Sequence, residues 1–247
     1  MINLENRNIL ITGCSGGIGK SLALVLNAAG GNIIVHYHQN EEEAKKILER
    51  LHGHFNMMIQ ADLSDPMQTK DMFKEIKRQY HTLDVLVNNA GAIIDDHLSV
   101  RTSLERWRKP FDINLNSVFN CSKEGIKQLR KSEHPRIINI ASVSASIAFP
   151  GQSSYAASKA AIVSFSRTLA VELAPWKILV NTVSPGLIDV GMHSHFTEEQ
   201  KHAYLQNIPL QRFGEAHEVS HVVAFLASDL SSYITGKEFV IDGGLIP

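Results

Sequence analysis

The decisive stretch is Asn8-Ile9-Leu10-Ile11-Thr12-Gly13-Cys14-Ser15-Gly16-Gly17-Ile18-Gly19. A short run suited to a buried strand passes directly into a turn with glycines at 13, 16, 17 and 19. Glycine lets a backbone turn tightly and approach a pyrophosphate closely, and the N-terminus of the next helix offers free N–H groups and a positive dipole end. A glycine-rich turn alone is weak evidence, because any tight turn favours glycine. Its place between a first strand and a first helix makes a dinucleotide site the better reading. The spacing is Gly-x3-Gly-x-Gly, looser than in most dinucleotide-binding folds.

Outward from that turn, β-branched runs alternate with amphipathic stretches. Strands are expected at Asn8–Ile11, Asn32–Tyr37, Asn56–Gln60, Leu83–Val87, Arg136–Ile140, Ile178–Val183 and Glu238–Ile241. Helices are expected at Ile18–Ala29, Glu41–Leu51, Pro66–Tyr80, Val118–Lys131, Tyr155–Leu173 and Ala216–Ala227. Parallel strands need crossover helices, so this alternation predicts an α/β fold: a single doubly wound parallel sheet of the Rossmann type, with helices on both faces. No repeat or linker divides residues 1–247, so one domain is expected. Residues 187–212 interrupt the rhythm after a strand end, which is where a substrate-binding lid would stand.

Composition narrows the function. Hydrophobic residues make up 44% and charged residues 20%, enough apolar material for a large core. The formal net charge is −1, without basic blocks, so no nucleic-acid partner is expected. No apolar run reaches the ~20 residues of a membrane span, and the N-terminus lacks a signal-peptide pattern. Cys14 and Cys121 have no metal-like spacing. A cytoplasmic protein without membrane or metal partners is the expectation.

Chemistry gathers in Tyr155-Ala156-Ala157-Ser158-Lys159, which sets a phenol and an ammonium at i and i+4 on one helix face. A free phenol titrates near 10; a nearby cation would bring it toward the working pH, where it could protonate an alkoxide. Upstream stand Asn88-Asn89-Ala90-Gly91, Asn114 and Ser142, and downstream Ser184-Pro185-Gly186. Singly, each could be structural: a turn cap, a strand-end serine, a chance Tyr-x3-Lys. Together with the glycine turn and Asp62, in this order and spacing, they resemble the short-chain dehydrogenase/reductase family along nearly the whole chain.

The resemblance implies an NAD(P)-dependent oxidoreductase working by hydride transfer. Tyr155 would be the catalytic acid–base, Ser142 would hold the carbonyl, Lys159 would reach the nicotinamide ribose, and Asn114 would help pass protons to solvent. It implies cofactor contacts at Gly13, Ser15, Gly17, Ile18, Gly19, Tyr37, His38, Asp62, Leu63, Asn89, Ala90, Gly91, Tyr155, Lys159, Pro185, Gly186 and Ile188. A substrate pocket would be walled by Ile93, Ile94, Ser144, Phe149, Gln152, Leu187 and Met192, a mainly apolar set. No acid follows the second strand until Glu41 (the run is His36-Tyr37-His38-Gln39-Asn40), so NADP(H) is favoured over NAD(H). Against this, Gly16 stands where NADP-preferring members often carry a basic residue.

Within the family the pattern is most similar to 3-oxoacyl-thioester reductases of fatty acid and polyketide synthesis. That implies a ketoreductase whose substrate is a small molecule or acyl thioester, with an acyl carrier protein as a possible partner. Carrier-dependent members typically present arginines near the site mouth; the corresponding places here hold Glu133 and Trp176, with Arg130, Lys131 and Lys177 nearby. Val190 stands where many members have a threonine. Two alternatives stay open: an NAD-dependent secondary-alcohol dehydrogenase, and a non-catalytic dinucleotide-binding regulator. Members are usually tetramers, so a homotetramer is implied. His217 and His221 are four apart on a helix, but no third ligand is suggested, so they read as solvated histidines. Trp107 and Phe111 read as packing residues.

Overall fold

The computed structural model describes residues 1–94, 97–190 and 197–246. Seven parallel strands form one sheet: β1 (Asn8–Ile11), β2 (Asn32–Tyr37), β3 (Met57–Gln60), β4 (Val85–Asn88), β5 (Arg136–Ile140), β6 (Leu179–Pro185) and β9 (Glu238–Ile241). Their order is β3-β2-β1-β4-β5-β6-β9, so the chain winds outward in both directions from β1 and β4. At that reversal the loops leaving neighbouring strands diverge and open a crevice at the strands' carboxyl ends.

Alternation along the strands explains the layers. In β1, Ile9 and Ile11 pack on one face beside α1 (Gly17–Ala28) and α8 (Ala216–Ala227), with Leu22, Leu26, Val219 and Val223. Leu10 points to the other face with Ile34, Leu86 and Ile137. There the sheet packs against α3 (Pro66–Gln79), α5 (Ser117–Leu129) and α6 (Ser153–Leu173), through Phe73, Ile76, Cys121 and Leu169. Each such side chain, fully buried, stabilises the fold by roughly 1.5–3 kcal/mol. α2 (Glu41–Leu48) links β2 to β3 and is capped by Asn40, whose side chain accepts from the Glu43 N–H.

Three departures from the expected elements bear on the site. Helix begins not at Val118 but at α4 (Leu104–Pro110), and a π-helical segment, Phe111–Asn116, joins α4 to α5. The inserted register turns Asn114 inward, a frequent use of such widened turns. Secondly, α6 starts at Ser153, so Tyr155 and Lys159 lie on its first two turns. Thirdly, the 187–212 stretch carries structure: β7 (Ile188–Asp189) pairs with β8 (Gly214–Glu215) across its base, and α7 (Glu198–Leu205) lies within it. Among the described residues, no helix is long and apolar enough to cross a membrane.

Candidate active site

At the carboxyl ends of the strands lies a cleft of about 1230 Å³, running from the glycine turn to the start of α6. The glycine turn is shaped by close backbone approach. Gly13 adopts φ +67°, and a Cβ there would sit 2.8 Å from Ala90 Cα. A Cβ at Gly19 would collide with the Gly13 carbonyl oxygen, and one at Gly17 with the Val190 side chain. Thr12 Oγ1 accepts from the backbone N–H groups of Asn89 and Ala90, both at 2.9 Å. Asn89 Nδ2 donates to the Thr12 and Gly13 carbonyls at 2.9 and 3.1 Å. The two turns that the sequence pairs only by motif are thus bolted together.

The cleft is lined at this end by Gly13, Ser15, Gly17, Ile18 and Gly19, then by His38, Asp62, Leu63, Asn89, Ala90 and Gly91. Pro185, Gly186 and Ile188 line it opposite. Tyr37, expected as a cofactor contact, is instead packed in the core beneath α1. Strand alternation puts its neighbours His36 and His38 at the cleft, and His36 is not among the expected cofactor contacts. Asp62 accepts from Ser64 Oγ and N at 2.7 and 2.9 Å, and these bonds hold its carboxyl below the usual range. His38 Nε2 lies 3.9 Å from Asp62 Oδ2.

At the other end stand Ser142, Tyr155 and Lys159. Tyr155 is 8% exposed, and burial pushes its phenol upward, partly offset by the Ser142 hydroxyl. Lys159 is buried too, and burial lowers its ammonium to about 8. Its Nζ donates to the Ile140 carbonyl at 2.8 Å and lies 5.8 Å from the Tyr155 ring centre. The expected lowering of the phenol by the lysine is therefore reversed: desolvation of both groups outweighs their proximity.

Asn114 does not line the cleft. Fully buried, it accepts from Ala92 N at 2.8 Å and donates to the Ala92 carbonyl at 3.2 Å and Ser158 Oγ at 3.1 Å. It ties the Gly91–Ala92 turn to α6. Gly91 permits this closeness, since a Cβ there would lie 2.9 Å from Asn114 Oδ1 and 3.3 Å from Lys159 Nζ.

Of the expected substrate wall, Ile93, Ser144, Phe149, Gln152 and Leu187 line the cleft; Ile94 does not. Met192, His193, His195 and Phe196 lie outside the described residues. Ser144 joins the site's polar network: its N–H donates to Ser142 Oγ at 3.1 Å and its hydroxyl to Gln152 Oε1 at 3.2 Å. Tyr204 of α7 lines the same end, its ring 6.5 Å from Phe149. Nothing in the sequence around Tyr204 singles it out, because its place in the cleft comes from α7 lying beside Phe149.

Glu133 and Trp176 do not flank this cleft. They precede β5 and β6, at the opposite edge of the sheet from Ser142 and Pro185, which follow those strands. There the Arg130 guanidinium stacks on Trp176 at 4.4 Å. His217 and His221 face each other with ring centres 5.3 Å apart, and among the described residues no cluster of His, Cys, Asp or Glu is arranged to hold a metal. Trp107 and Phe111 pack together at 5.5 Å.

Comparison with known proteins gives concordant matches. A family model described as enoyl-(acyl carrier protein) reductase matches residues 13–246. The 3-oxoacyl-(acyl-carrier-protein) reductase FabG of Staphylococcus aureus (strain Mu50) is 40% identical over 241 residues, 97% of this chain and 98% of the relative. The 3-oxoacyl-(acyl-carrier-protein) reductase of Synechocystis sp. is 39% identical over 249 aligned positions, covering 100% of this chain and 99% of the relative. A crystal structure of a protein assigned as a short-chain alcohol dehydrogenase from Sinorhizobium meliloti 1021 superposes with a TM-score of 0.93. It is 29% identical and covers 99% of this chain and 98% of its own.

Proposed function

The chain belongs to the short-chain dehydrogenase/reductase family and is an NAD(P)-dependent oxidoreductase, and from that premise we propose that it reduces the ketone of a 3-oxoacyl thioester, with NADPH preferred. The observation that carries the reading is a single cleft joining the glycine turn to Ser142, Tyr155 and Lys159. The Staphylococcus aureus and Synechocystis relatives are 3-oxoacyl-(acyl-carrier-protein) reductases, which supports that substrate class.

The chain's residues fit a dinucleotide. The glycine turn lines the cleft with Gly13, Ser15, Gly16 and Gly17, a Cβ at Gly16 would meet nothing closer than the Gly13 carbonyl oxygen at 3.7 Å, and the turn leads directly into the α1 N-terminus, suited to a pyrophosphate. The acids after β2 point elsewhere: Glu41 pairs with Lys45 at 2.8 Å, and Glu43 with Lys20 at 2.8 Å. His38, Gln39 and Asn40 line the cleft there instead, leaving no carboxylate from that segment to repel a 2′-phosphate.

When bound, the reduced nicotinamide supplies the carbonyl carbon with a hydrogen and its electron pair. Tyr155 donates its phenolic proton to the oxygen that becomes an alkoxide. Burial keeps that phenol protonated at neutral pH, the state a general acid needs. Ser142 donates to the same oxygen and fixes its direction, while Lys159 supplies positive charge behind Tyr155. Ile93, Phe149, Leu187 and Tyr204 give the acyl chain an apolar wall. Ser142 is itself held by Ser144. The protein is expected in the cytoplasm, as a homotetramer, with the thioester free or carrier-bound.

The test follows nicotinamide oxidation with a short 3-oxoacyl thioester, with NADPH and NADH in parallel and Tyr155→Phe as control. NADPH-preferring turnover, lowered by about 10²–10⁴-fold in the variant while dinucleotide still binds, is the expected result. Turnover of an enoyl thioester in place of the 3-oxo form would shift the reading to the reaction named by the family model. Dinucleotide binding with NAD-linked oxidation of secondary alcohols, and none of the thioester, would replace it with the dehydrogenase alternative.

A further inference from the structure

We propose that His36 is a positioning residue for the dinucleotide, its imidazole locking the glycine turn after β1 to the turn after β3. The role presupposes the dinucleotide site proposed above and adds to it a residue that makes the site rigid.

His36 lies in β2, 2% exposed, directly beneath the cleft that it helps to line. Both ring nitrogens are used. Nδ1 accepts from the Gly13 N–H at 3.1 Å, and Nε2 donates to the Ala61 carbonyl at 3.1 Å. A backbone N–H can only donate and a carbonyl can only accept, so the two partners specify one neutral tautomer. The strand backbone adds a third tie, the His36 carbonyl accepting from Cys14 N at 2.9 Å.

A histidine that merely filled the core would bond to whatever lay nearby. The partners here are the first glycine of the turn and the residue before Asp62, both on segments that line the cleft. Gly13 has no other freedom to spare: it sits at positive φ against Ala90 and carries Asn89 on its carbonyl. Without an acceptor at Nδ1, its N–H would be an orphan donor. Burial holds the ring neutral down to about 4, against an ordinary 6.5, and the Ala61 carbonyl pulls part of the way back. The titratable groups that act on the ring are His38, on the strand's own end, and Asp62, on the facing turn; their effects are opposite in sign.

The experiment titrates NADPH and NADH onto the wild-type protein, His36→Asn and His36→Leu, with circular dichroism to report folding and kcat recorded at saturating dinucleotide. Leucine removes both ring contacts; asparagine keeps an acceptor close to the Nδ1 position. We expect the leucine variant to bind about tenfold more weakly or worse, the loss of one to two buried hydrogen bonds. Its kcat at saturation should stay within about twofold, and asparagine should recover most of the affinity. Leucine binding like wild type, or Kd and kcat failing together in proportion to unfolded protein, would overturn the role. Wild type binding neither dinucleotide would overturn the site itself, and this role with it.

Should the leucine variant not fold, the wild-type ring decides. In histidine-labelled protein, with His36→Asn assigning the signal, Nδ1 should be unprotonated, Nε2 protonated, and the resonance should move when NADPH is added. A ring that titrates near its ordinary value, or ignores the dinucleotide, would refute the proposal.

Discussion

Lys159 is 4% exposed, its ammonium donates to one carbonyl, and among the described residues no carboxylate pairs with it. A buried, uncompensated cation is a stability defect, and its lowered pKa measures the defect. The folded-state value is about 8 against an ordinary 10.5. Between those two values the unfolded chain binds more protons than the folded one, so this group makes stability rise with pH through that window. Below about 8 the penalty is fully present, on the order of 3 kcal/mol. Lys159→Met should therefore stabilise the free protein at pH 7 by about 2 kcal/mol, once about 1 kcal/mol is deducted for the lost hydrogen bond. The gain should shrink toward pH 10, and turnover should be lost. Urea unfolding at the two pH values checks it; a methionine variant less stable than wild type at pH 7 would mean that the Ile140 contact outweighs desolvation. Natural proteins accept such a defect where chemistry needs it.

The strands, helices and turns around that residue were legible to different depths. Period and composition sufficed for the buried strands, because β-branched runs such as Asn32–Tyr37 are flanked by polar turns, and for the helix carrying Tyr155 and Lys159. The π-helical segment was not legible: Trp107, Pro110 and Phe111 give no clear helical stripe, and the extra residue per turn is set by packing against α6. Nor was the side-chain traffic between elements, which depends on distances that no local pattern encodes. Thr12 illustrates this. In the sequence it is the residue before the first motif glycine; in the structure it supplies the acceptor for Asn89 and Ala90, joining the turn after β1 to the end of β4. Thr12→Val keeps the shape and removes the oxygen, leaving two N–H groups without that acceptor. The expected loss is about 1–3 kcal/mol per unsatisfied donor at most, read from the urea midpoint with the slope unchanged. Dinucleotide affinity should fall with it, because Gly13 and Ala90 would no longer be held in register. A variant with wild-type stability would show that water or a shift of the turn replaces the threonine.

Across the molecule, apolar side chains stand uncovered in two regions, among others, of the described residues. One lies on the α5–α6 face, where Phe119, 47% exposed, meets Phe165 edge-on at 6.2 Å. The other follows the sheet's open side, where β9 is the last strand, Val240 is 42% exposed and Tyr233 stands free of the surface. An edge strand with apolar neighbours is a surface that folded proteins usually cover. The two regions belong to different layers of the molecule, helices in one case and the sheet's end in the other. Two separate self-complementary contacts on one chain generate a closed tetramer of dihedral symmetry, whereas one alone generates a dimer. The homotetramer proposed above thus needs both regions, and that requirement is testable piecewise. Phe119→Glu should leave dimers joined through the β9 side, Val240→Lys should leave dimers joined through α5 and α6, and the double variant should be monomeric. Sedimentation velocity reads each species directly. If wild type sediments as a monomer, both surfaces serve some other purpose and the tetramer is wrong; if the single variants remain tetrameric, the contacts lie elsewhere on the chain.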